Sequence, residues 1–377
     1  MNSLINLLGN MSEKEFTHQF WGKKPCFIEG VIKGYQETIT KKILCTLIQD
    51  DHIDTKLITQ KDDNFITDFG PFKKNSINRE APYTLLIHKL HLWHKFSSVL
   101  FNSINFIPYC RHDDVMISFS NTNGTVGPHS DSYDVFLFQG SGEKSWSIGD
   151  PDNKFDLPSE VKTHRKFKAK YEFVAKAGDI IYVPPNTPHY GIANTDNCIT
   201  YSIGFRSPSN HDIKQRFLEF IMDREPEKLI FYNDARALAL SAKAKLPTTL
   251  IKFINEECKS TLKKIDTSLF VGEFMSEPDI NTIFKKQKYS INKLIKRKLN
   301  QSLYLDPESR GIYFDNQFFI NGIRLPIKKM HSTFFKDFFD KKQVAVNFSN
   351  NNIGLNELIL QLLNDGFIQL HSTRFLF

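Results

Sequence analysis

The chain has 377 residues, 40% of them hydrophobic, so it is long enough for two or three units with a sizeable core. Its net charge of +7 is modest, and its five cysteines are an odd number without a Cys-x-x-Cys pair, which excludes a disulfide scaffold and a cysteine zinc site. No run of about 18 apolar residues and no cleavable leader at residues 1–10 is found, which predicts a soluble, cytoplasmic protein without a membrane segment.

Residues 1–95 alternate short helices with strands and are predicted to form an α/β segment that leads into a larger β domain. A helix is expected to begin after Ser12, whose side chain can cap it, and to end by Gly22, because Pro25 bars its continuation. Residues 26–29 are then typical of a strand.

Residues 96–206 carry many short apolar or alternating segments separated by Gly, Pro and Asn turns. Strands are expected at residues 116–120, 134–138 and 143–148, and another follows the turn at Gly178. This pattern predicts a mainly β core with the double-stranded β-helix, or jelly-roll, architecture of cupins.

Two turns of this core carry side chains suited to a transition metal. His129 and Asp131 are two positions apart, so in an extended segment they point to the same face, and His189 follows a proline-rich turn later in the chain. Two histidines and one carboxylate are the facial triad of non-haem iron(II) oxygenases, which leaves the opposite face of the metal open. The alternative is a chance His-x-Asp pair in a chain with 12 histidines.

An iron(II) oxygenase of this kind needs a reducing co-substrate, most commonly 2-oxoglutarate, whose distal carboxylate requires a buried cation. Lys144 lies one hairpin after His129, flanked by Trp146 and Ile148, and is the candidate. Ser118, on an alternating strand, is a candidate hydroxyl for the same carboxylate. The alternatives are a surface lysine at a hairpin and a buried serine that bonds only to the backbone.

After residue 206 the pattern changes from strands to helices. Ile213, Phe217, Phe220 and Ile221 form one apolar helical stripe, and residues 246–262 repeat this behaviour. Such a stripe needs an apolar partner and predicts a homodimer, with packing inside one chain as the alternative.

Two stretches of the chain are basic. Residues 162–170 carry five Lys or Arg and residues 285–298 carry seven, with no acidic residue in either. Contact with ribosomal RNA or another polyanion through phosphates is one interpretation, and a solvated helix face or loop is the other.

Several motifs together resemble one known family. They are Asp114-Val-Met-Ile-Ser-Phe-Ser, Gly127-Pro-His-Ser-Asp-Ser-Tyr-Asp-Val-Phe, Gly178-Asp-Ile-Ile-Tyr-Val-Pro-Pro-Asn-Thr-Pro-His and Tyr201-Ser-Ile-Gly-Phe-Arg. These motifs are similar to those of the JmjC-type bacterial ribosomal oxygenases of the cupin superfamily, which hydroxylate an arginine of large-subunit ribosomal protein number sixteen. A weaker likeness extends over nearly the whole chain.

The resemblance implies roles for individual residues. It assigns His129, Asp131 and His189 to iron(II) and position 144 to 2-oxoglutarate. The close enterobacterial members carry arginine where this chain has Lys144, whereas lysine is usual in the wider JmjC group. Either cation can hold a carboxylate, so the resemblance still implies an active enzyme.

The resemblance also completes the predicted domain organisation. Residues 207–267 are expected to form a helical dimerisation segment, and residues 268–377 a winged-helix-like α+β domain. The four predicted segments are therefore 1–95, 96–206, 207–267 and 268–377.

The main hypothesis is an iron(II)- and 2-oxoglutarate-dependent protein hydroxylase that acts on an arginine of a ribosomal protein. Such a substrate needs a slot lined by carboxylate or hydroxyl groups. Tyr133 keeps the parity of the metal ligands and is the candidate substrate contact, whereas the directions of Asp113, Asp114 and Asp134 are open. The alternatives are the same chemistry on a histidine of another ribosomal protein or on RNA, and a non-catalytic cupin protein that binds or assembles ribosomes.

Overall fold

The structure is a computed structural model, and it describes residues 5–61, 64–77, 79–150, 168–224, 231–232, 246–296, 301–348, 352–371 and 377. The chain divides into two compact units, Met1–Ser207 with Thr373–Phe377, and Pro208–Ser372. Each has its own hydrophobic core. Among the described residues, no helix combines the length and the apolar composition that crossing a bilayer requires.

The first unit contains three helices and eleven strands among its described residues. The helices are α1 (Glu13–Gln19), α2 (Lys41–Leu47) and α3 (Lys95–Ser103). The strands are β1 (Cys26–Ile28), β2 (Thr55–Lys61), β3 (Asn64–Phe69), β4 (Tyr83–Ile87), β5 (His112–Ser120), β6 (Val135–Ser141), β7 (Glu143–Ile148), β8 (Tyr171–Lys176), β9 (Ile180–Val183), β10 (His189–Ala193) and β11 (Cys198–Phe205). Short 3₁₀ turns cover Lys74–Ile77, Leu90–Leu92 and Tyr109–Arg111.

The local predictions for the first turns of this unit are confirmed. The Ser12 hydroxyl accepts a hydrogen bond from the Glu15 N–H, and the Glu15 carboxylate accepts one from the Ser12 N–H, which forms a capping box at the start of α1. The helix ends at Gln19, and β1 begins at Cys26.

The strands form two antiparallel sheets, as the predicted double-stranded β-helix requires. The larger sheet has the order β1-β9-β6-β11-β5-β4-β2-β3, and the smaller has the order β10-β7-β8. Strands β1 to β4, from the segment predicted to precede the core, extend the larger sheet, and β4 pairs directly with β5. The predicted segments 1–95 and 96–206 therefore share one sheet, and the four-segment division stays a prediction.

The larger sheet is covered on both faces, which explains its continuous apolar strands. On β6, Val135 and Leu137 pack against the smaller sheet, whereas Phe136 and Phe138 face the opposite side. There Phe136 meets Phe16 of α1, with ring centroids 5.3 Å apart. Side chains alternate along a strand, so one face of each strand lines the interior between the sheets and the other binds the helices.

The second unit combines helices with two small antiparallel sheets. Its helices are α4 (Asn210–Met222), α5 (Thr248–Lys264), α6 (Thr267–Ser276), α7 (Ile291–Lys296), α8 (Ser332–Lys341) and α9 (Ile353–Asp365). Its strands are β12 (Gln301–Leu305), β13 (Gly311–Phe314), β14 (Gln317–Ile320), β15 (Ile323–Leu325), β16 (Gln343–Val346) and β17 (Ile368–Gln369), paired as β16-β12-β17 and β13-β14-β15. The predicted helical segments and C-terminal α+β fold are thus present.

The apolar stripe predicted on α4 has a partner within the chain for part of its length. The rings of Phe217 and Phe220 lie 5.1 and 5.2 Å from the ring of Phe270 in α6. Ile213 stays exposed at 41%. In contrast, α5 has no buried residue at all.

Candidate active site

The three predicted metal ligands converge at one end of the interior between the two sheets. His189 is the first residue of β10, and His129 forms an isolated antiparallel bridge with it. The N–H of each histidine donates to the carbonyl of the other, at 3.0 and 2.8 Å. The turn before His189 is also tied to the first segment, because the Asn186 N–H donates to the Asp131 carbonyl at 2.6 Å.

The backbone fixes the orientation of both imidazoles. Nδ1 of His129 lies 2.9 Å from the Gly127 carbonyl, and Nδ1 of His189 lies 3.0 Å from the Thr187 carbonyl. A carbonyl only accepts, so each Nδ1 carries a proton, and in the neutral imidazole Nε2 is then the atom with the lone pair. Gly127 has a φ of +84°, which favours glycine there. Neutral imidazoles with a defined Nε2 are what a divalent metal requires.

The ligand atoms are close enough for one ion. Oδ2 of Asp131 lies 3.9 Å from Nε2 of His129 and 3.6 Å from Nε2 of His189. With bonds of about 2.1 Å, adjacent ligand atoms of a first-row metal lie about 3 Å apart, so small side-chain rotations bring all three into contact with it. The donor set of two nitrogens and one carboxylate therefore fits the predicted facial triad.

The second predicted element, Lys144, lies inside the same unit and is only 4% exposed. Strand β7 alternates between partly exposed and buried residues, and Lys144, Trp146 and Ile148 are its buried set. The Lys144 Nζ lies 3.4 Å from the Ser118 hydroxyl and 4.9 Å from the centroid of the Trp146 ring. The structure thus brings together the two residues predicted to hold 2-oxoglutarate.

This ammonium group lacks a counter-ion in the described part of the chain. There it contacts the Ser118 hydroxyl and the face of the Trp146 ring. Burial lowers the pKa of Lys144, an effect that the nearby Cys198 opposes. A buried charge without a partner is strongly unfavourable, so the site is built for an anion.

The space between the ammonium and the metal ligands has a defined length. Lys144 pairs with Ala193, and His189 pairs with Ile148, which places them at opposite ends of the β7–β10 pair. The Lys144 side chain extends from its own position towards Gly191, since a methyl group added at Gly191 would lie 2.8 Å from Cε of the lysine. Gly191 is two residues from His189, or about 7 Å along the strand, which suits a five-carbon dicarboxylate.

Asp114 has a side-chain orientation that the sequence left open. Its Oδ2 accepts a hydrogen bond from the Lys89 N–H at 3.2 Å and lies 3.8 Å from Nδ1 of His88. Its Oδ1 faces Gly204, because a methyl group added there would lie 3.5 Å from Oδ1 and 3.7 Å from Cε2 of Tyr133. One carboxylate oxygen is therefore held by the backbone and the other is directed to the space beside Tyr133.

Tyr133 lies close to the metal ligand Asp131. The sequence predicted this position, because Tyr133 is two residues after Asp131 in an extended segment. Burial raises the pKa of its hydroxyl, and the neighbouring charges of Asp131, Asp114 and Asp113 raise it further. Tyr133 is therefore protonated at neutral pH and donates to Asp131, which leaves its hydroxyl oxygen as an acceptor. Its surroundings are acidic, which favours a cationic ligand.

The remaining acid considered, Asp134, faces away from this space. It is 2% exposed and accepts hydrogen bonds from Tyr182 at 2.5 Å and from Arg111 at 3.1 Å. These contacts hold the helix-covered side of the larger sheet, so Asp134 has a structural role.

Sequence reasoning did not select Trp146 as a site residue, although its position two residues after Lys144 on one strand was a usable signal.

Comparison with known proteins supports the resemblance predicted from the motifs. The JmjC domain family matches residues 99–213. The ribosomal protein uL16 3-hydroxylase of Escherichia coli is 32% identical over 213 residues, which are 56% of this chain and 57% of that protein. A probable ribosomal oxygenase of Haemophilus influenzae is 30% identical over 203 residues, 52% of this chain and 49% of that protein. The matches thus span about half the length of these relatives.

Solved structures show the same fold over a longer range. The X-ray structure of Escherichia coli ycfD has a TM-score of 0.83 at 24% identity and covers 96% of this chain and 98% of that chain. The ribosomal oxygenase YcfD in complex with cobalt and 2-oxoglutarate has a TM-score of 0.79 at 24% identity, again over 96% of this chain and 98% of that one. These matches confirm the predicted mainly β jelly-roll fold, and the JmjC domain is the family that residues 99–213 match.

Proposed function

We propose that the protein is an iron(II)- and 2-oxoglutarate-dependent hydroxylase of an arginine side chain in a large-subunit ribosomal protein. The observation that carries the proposal is the buried ammonium of Lys144, which lacks a described counter-ion and faces the His129, Asp131 and His189 cluster across a gap the length of a dicarboxylate. The name of the Escherichia coli relative, a ribosomal protein uL16 3-hydroxylase, supports the choice of substrate.

The residues of this chain would share the work as follows. His129, Asp131 and His189 would hold iron(II), and Lys144 with Ser118 would hold the distal carboxylate of 2-oxoglutarate. Bound together, the ion and the co-substrate supply oxygen activation coupled to oxidative decarboxylation, which yields succinate and carbon dioxide. The chain supplies two oriented imidazoles and a buried cation.

Mass spectrometry of ribosomal proteins from cells with and without the gene tests this function. We expect one arginine-containing peptide to carry an added oxygen atom only when the gene is present. An added oxygen on a histidine peptide or on RNA would support the alternatives with the same chemistry. If the masses of the peptides and of the RNA are the same with and without the gene, the result would favour a non-catalytic cupin protein.

The geometry beside Tyr133 supports a cationic target side chain. Oδ1 of Asp114 and Cε2 of the Tyr133 ring flank the backbone at Gly204, and the Tyr133 hydroxyl is hydrogen-bonded to the metal ligand Asp131. A carboxylate and a hydroxyl are the groups expected to bind a guanidinium. We include Asp114 with Tyr133 as substrate contacts in the proposal.

Asp114→Asn is expected to lower kcat/KM for an arginine-containing ribosomal peptide by about 10- to 100-fold, because a charge-assisted hydrogen bond contributes roughly 1.5–3 kcal/mol. The peptide titration is measured with 2-oxoglutarate at saturation. Asp113→Asn is the matched control, since it makes the same charge change at the neighbouring position on β5, whose charge also acts on Tyr133. Equal losses in both variants would reflect long-range charge and would remove Asp114 from the site.

The homodimer predicted from the sequence remains part of the proposal, with its surface shifted from α4 to α5. Ile251, Ile254 and Leu262 of α5 are 45%, 51% and 58% exposed and lie along one side of the helix. A second copy presents a stripe of the same length, so a two-fold axis across α5 would cover both stripes at once.

Light scattering is expected to give a mass near twice 43.7 kDa for the wild type and near 43.7 kDa for Ile254→Glu. A glutamate in the centre of the apolar stripe would be desolvated without a partner in the dimer. Glu256→Gln, on the polar side of α5, should leave the dimer intact. A wild-type mass of one chain at micromolar concentration rules out this interface.

Contact with ribosomal RNA also remains a prediction. The first basic stretch, residues 162–170, lies largely outside the described residues. In the second stretch, Lys285, Lys286, Lys288 and Lys293 are exposed, and residues 297–298 are not described. Exposed lysines of this kind bind phosphates through a salt-dependent interaction.

A further inference from the structure

Trp146 occupies the same interior space as Lys144 and has an unusual polar atom. The side chain is 6% exposed, and its indole Nε1 is buried without a hydrogen-bond partner in the described part of the chain. Buried N–H groups are almost always paired in folded proteins. This exception therefore indicates a partner that is not a residue of the described chain.

The ring of Trp146 lies between the two functional ends of the interior. The ring centroid is 4.9 Å from the Lys144 Nζ and 6.1 Å from the ring of His189. Any molecule that spans from the metal ligands to the ammonium must pass beside this ring.

Gly191 makes this arrangement sterically feasible. A methyl group added at Gly191 would lie 2.8 Å from Cζ3 of Trp146 and 2.8 Å from Cε of Lys144. Real Cβ atoms do not approach other atoms so closely. The Trp146 and Lys144 side chains therefore fill the space that a side chain at position 191 would need. Across from Trp146 on β10, Gly191 thus lets the indole and the lysine pack side by side.

The Ser118 hydroxyl is already paired, because it accepts from the Lys144 Nζ and donates to the Thr200 carbonyl at 3.5 Å. The other polar groups, the Lys144 ammonium and the Trp146 N–H, can only donate. A ligand that satisfies these groups together must carry several acceptor oxygens close to one another. A carboxylate meets that requirement, whereas a single water molecule would leave the ammonium without a counter-charge.

We propose that Trp146 is a further co-substrate-binding residue, whose indole N–H donates a hydrogen bond to 2-oxoglutarate while its ring holds the Lys144 ammonium in position. The proposal rests on the function proposed above, because it takes 2-oxoglutarate as the ligand. It adds a direct polar contact from the indole, beyond the packing role that Trp146 has between β7 and its neighbours.

Trp146→Phe removes the N–H and keeps an aromatic ring over the lysine. We expect the Kd for 2-oxoglutarate, measured without oxygen from the charge-transfer absorption of the iron(II)-loaded protein, to rise about tenfold. The Kd for iron(II) alone should not change. Trp93→Phe, which makes the same chemical change in the core on the other side of the larger sheet, should leave both constants at the wild-type values.

A second measurement is made on the wild type and uses Trp146→Phe only to assign one signal. The chain has three tryptophans, so an NMR spectrum of the zinc-loaded wild type contains three indole N–H signals. Addition of 2-oxoglutarate should shift one of them downfield, and that signal should be the one missing in Trp146→Phe.

The outcomes separate the two levels of the proposal. If the wild type binds 2-oxoglutarate but Trp146→Phe binds it equally well and the indole signal stays in place, Trp146 has only a packing role and the inference is wrong. If the iron-loaded wild type does not bind 2-oxoglutarate at all, the proposed function is wrong and the inference fails with it.

Discussion

Lys144→Met is expected to abolish 2-oxoglutarate binding while leaving the ligand-free protein at least as stable as the wild type. Methionine has a similar length and no charge, so it removes the proposed counter-ion of the co-substrate carboxylate without leaving a cavity. Loss of one partner of a buried charge pair typically costs about 3–5 kcal/mol, or more than about 100-fold in affinity. Replacing a buried charge by a well-packed apolar group changes stability by about 0 to 4 kcal/mol in the stabilising direction.

The two effects are measured by anaerobic titration with 2-oxoglutarate and by thermal unfolding without ligands. Lys176→Met on β8 is the matched control, because the Lys176 side chain is 66% exposed and its loss removes the same charge. If Lys144→Met bound 2-oxoglutarate within threefold of the wild type, the anion would not be held by this lysine.

The pH dependence of stability gives an independent readout of the same residue. Burial lowers the pKa of Lys144 below its ordinary value of 10.5 in the folded protein, so the unfolded chain binds this proton more tightly. Stability of the ligand-free protein should therefore increase as the pH rises from the lowered folded pKa towards 10.5. This contribution should be lost in Lys144→Met and reduced when a carboxylate neutralises the ammonium.

Asp131→Ala is expected to eliminate succinate production and to weaken iron(II) binding by more than about 100-fold. Loss of a residue that only hydrogen-bonds to a metal ligand already lowers metal affinity by about 10–100-fold, and Asp131 is itself a proposed ligand. Asp131 is the sole anionic member of the triad, and the two neutral imidazoles that remain cannot offset the charge of a divalent ion. Iron binding is measured by anaerobic titration, and turnover by succinate released.

Ser132→Ala serves as the control for this variant. Its side chain is exposed and adjacent to Asp131, so the backbone is disturbed at the same place with the ligands intact. Full succinate production by Asp131→Ala would show that the metal, if any, is held elsewhere.

The parts of the site predicted from the sequence follow short-range rules. His129 and Asp131 share a face because they are two residues apart, and Lys144 is buried because it alternates in step with Trp146 and Ile148. Both conclusions need only the period of a strand. The jelly-roll architecture likewise follows from many short strands with turns between them.

The parts that could not be predicted depend on contacts between distant segments. The direction of Asp114 is set by the Lys89 N–H and by His88, which belong to another part of the chain. Phe217 and Phe220 pack against Phe270 of α6. The hydrophobic pattern of α4 shows that these side chains need an apolar partner, but it does not identify that partner. The extension of the larger sheet by β1 to β4 is also a matter of pairing over long sequence separation.

The reciprocal backbone hydrogen bonds between His129 and His189 have a consequence for metal selectivity. Together with the contacts of both Nδ1 atoms, they hold the two imidazoles close to their ligating positions before an ion arrives, so ions of similar size meet nearly the same donors. Affinity for a set of nitrogen and oxygen ligands rises along the first-row divalent series from manganese and iron to copper. Cobalt, nickel and copper should therefore occupy this centre at least as tightly as iron, and the ion that the protein carries is decided by the metals supplied in the cell.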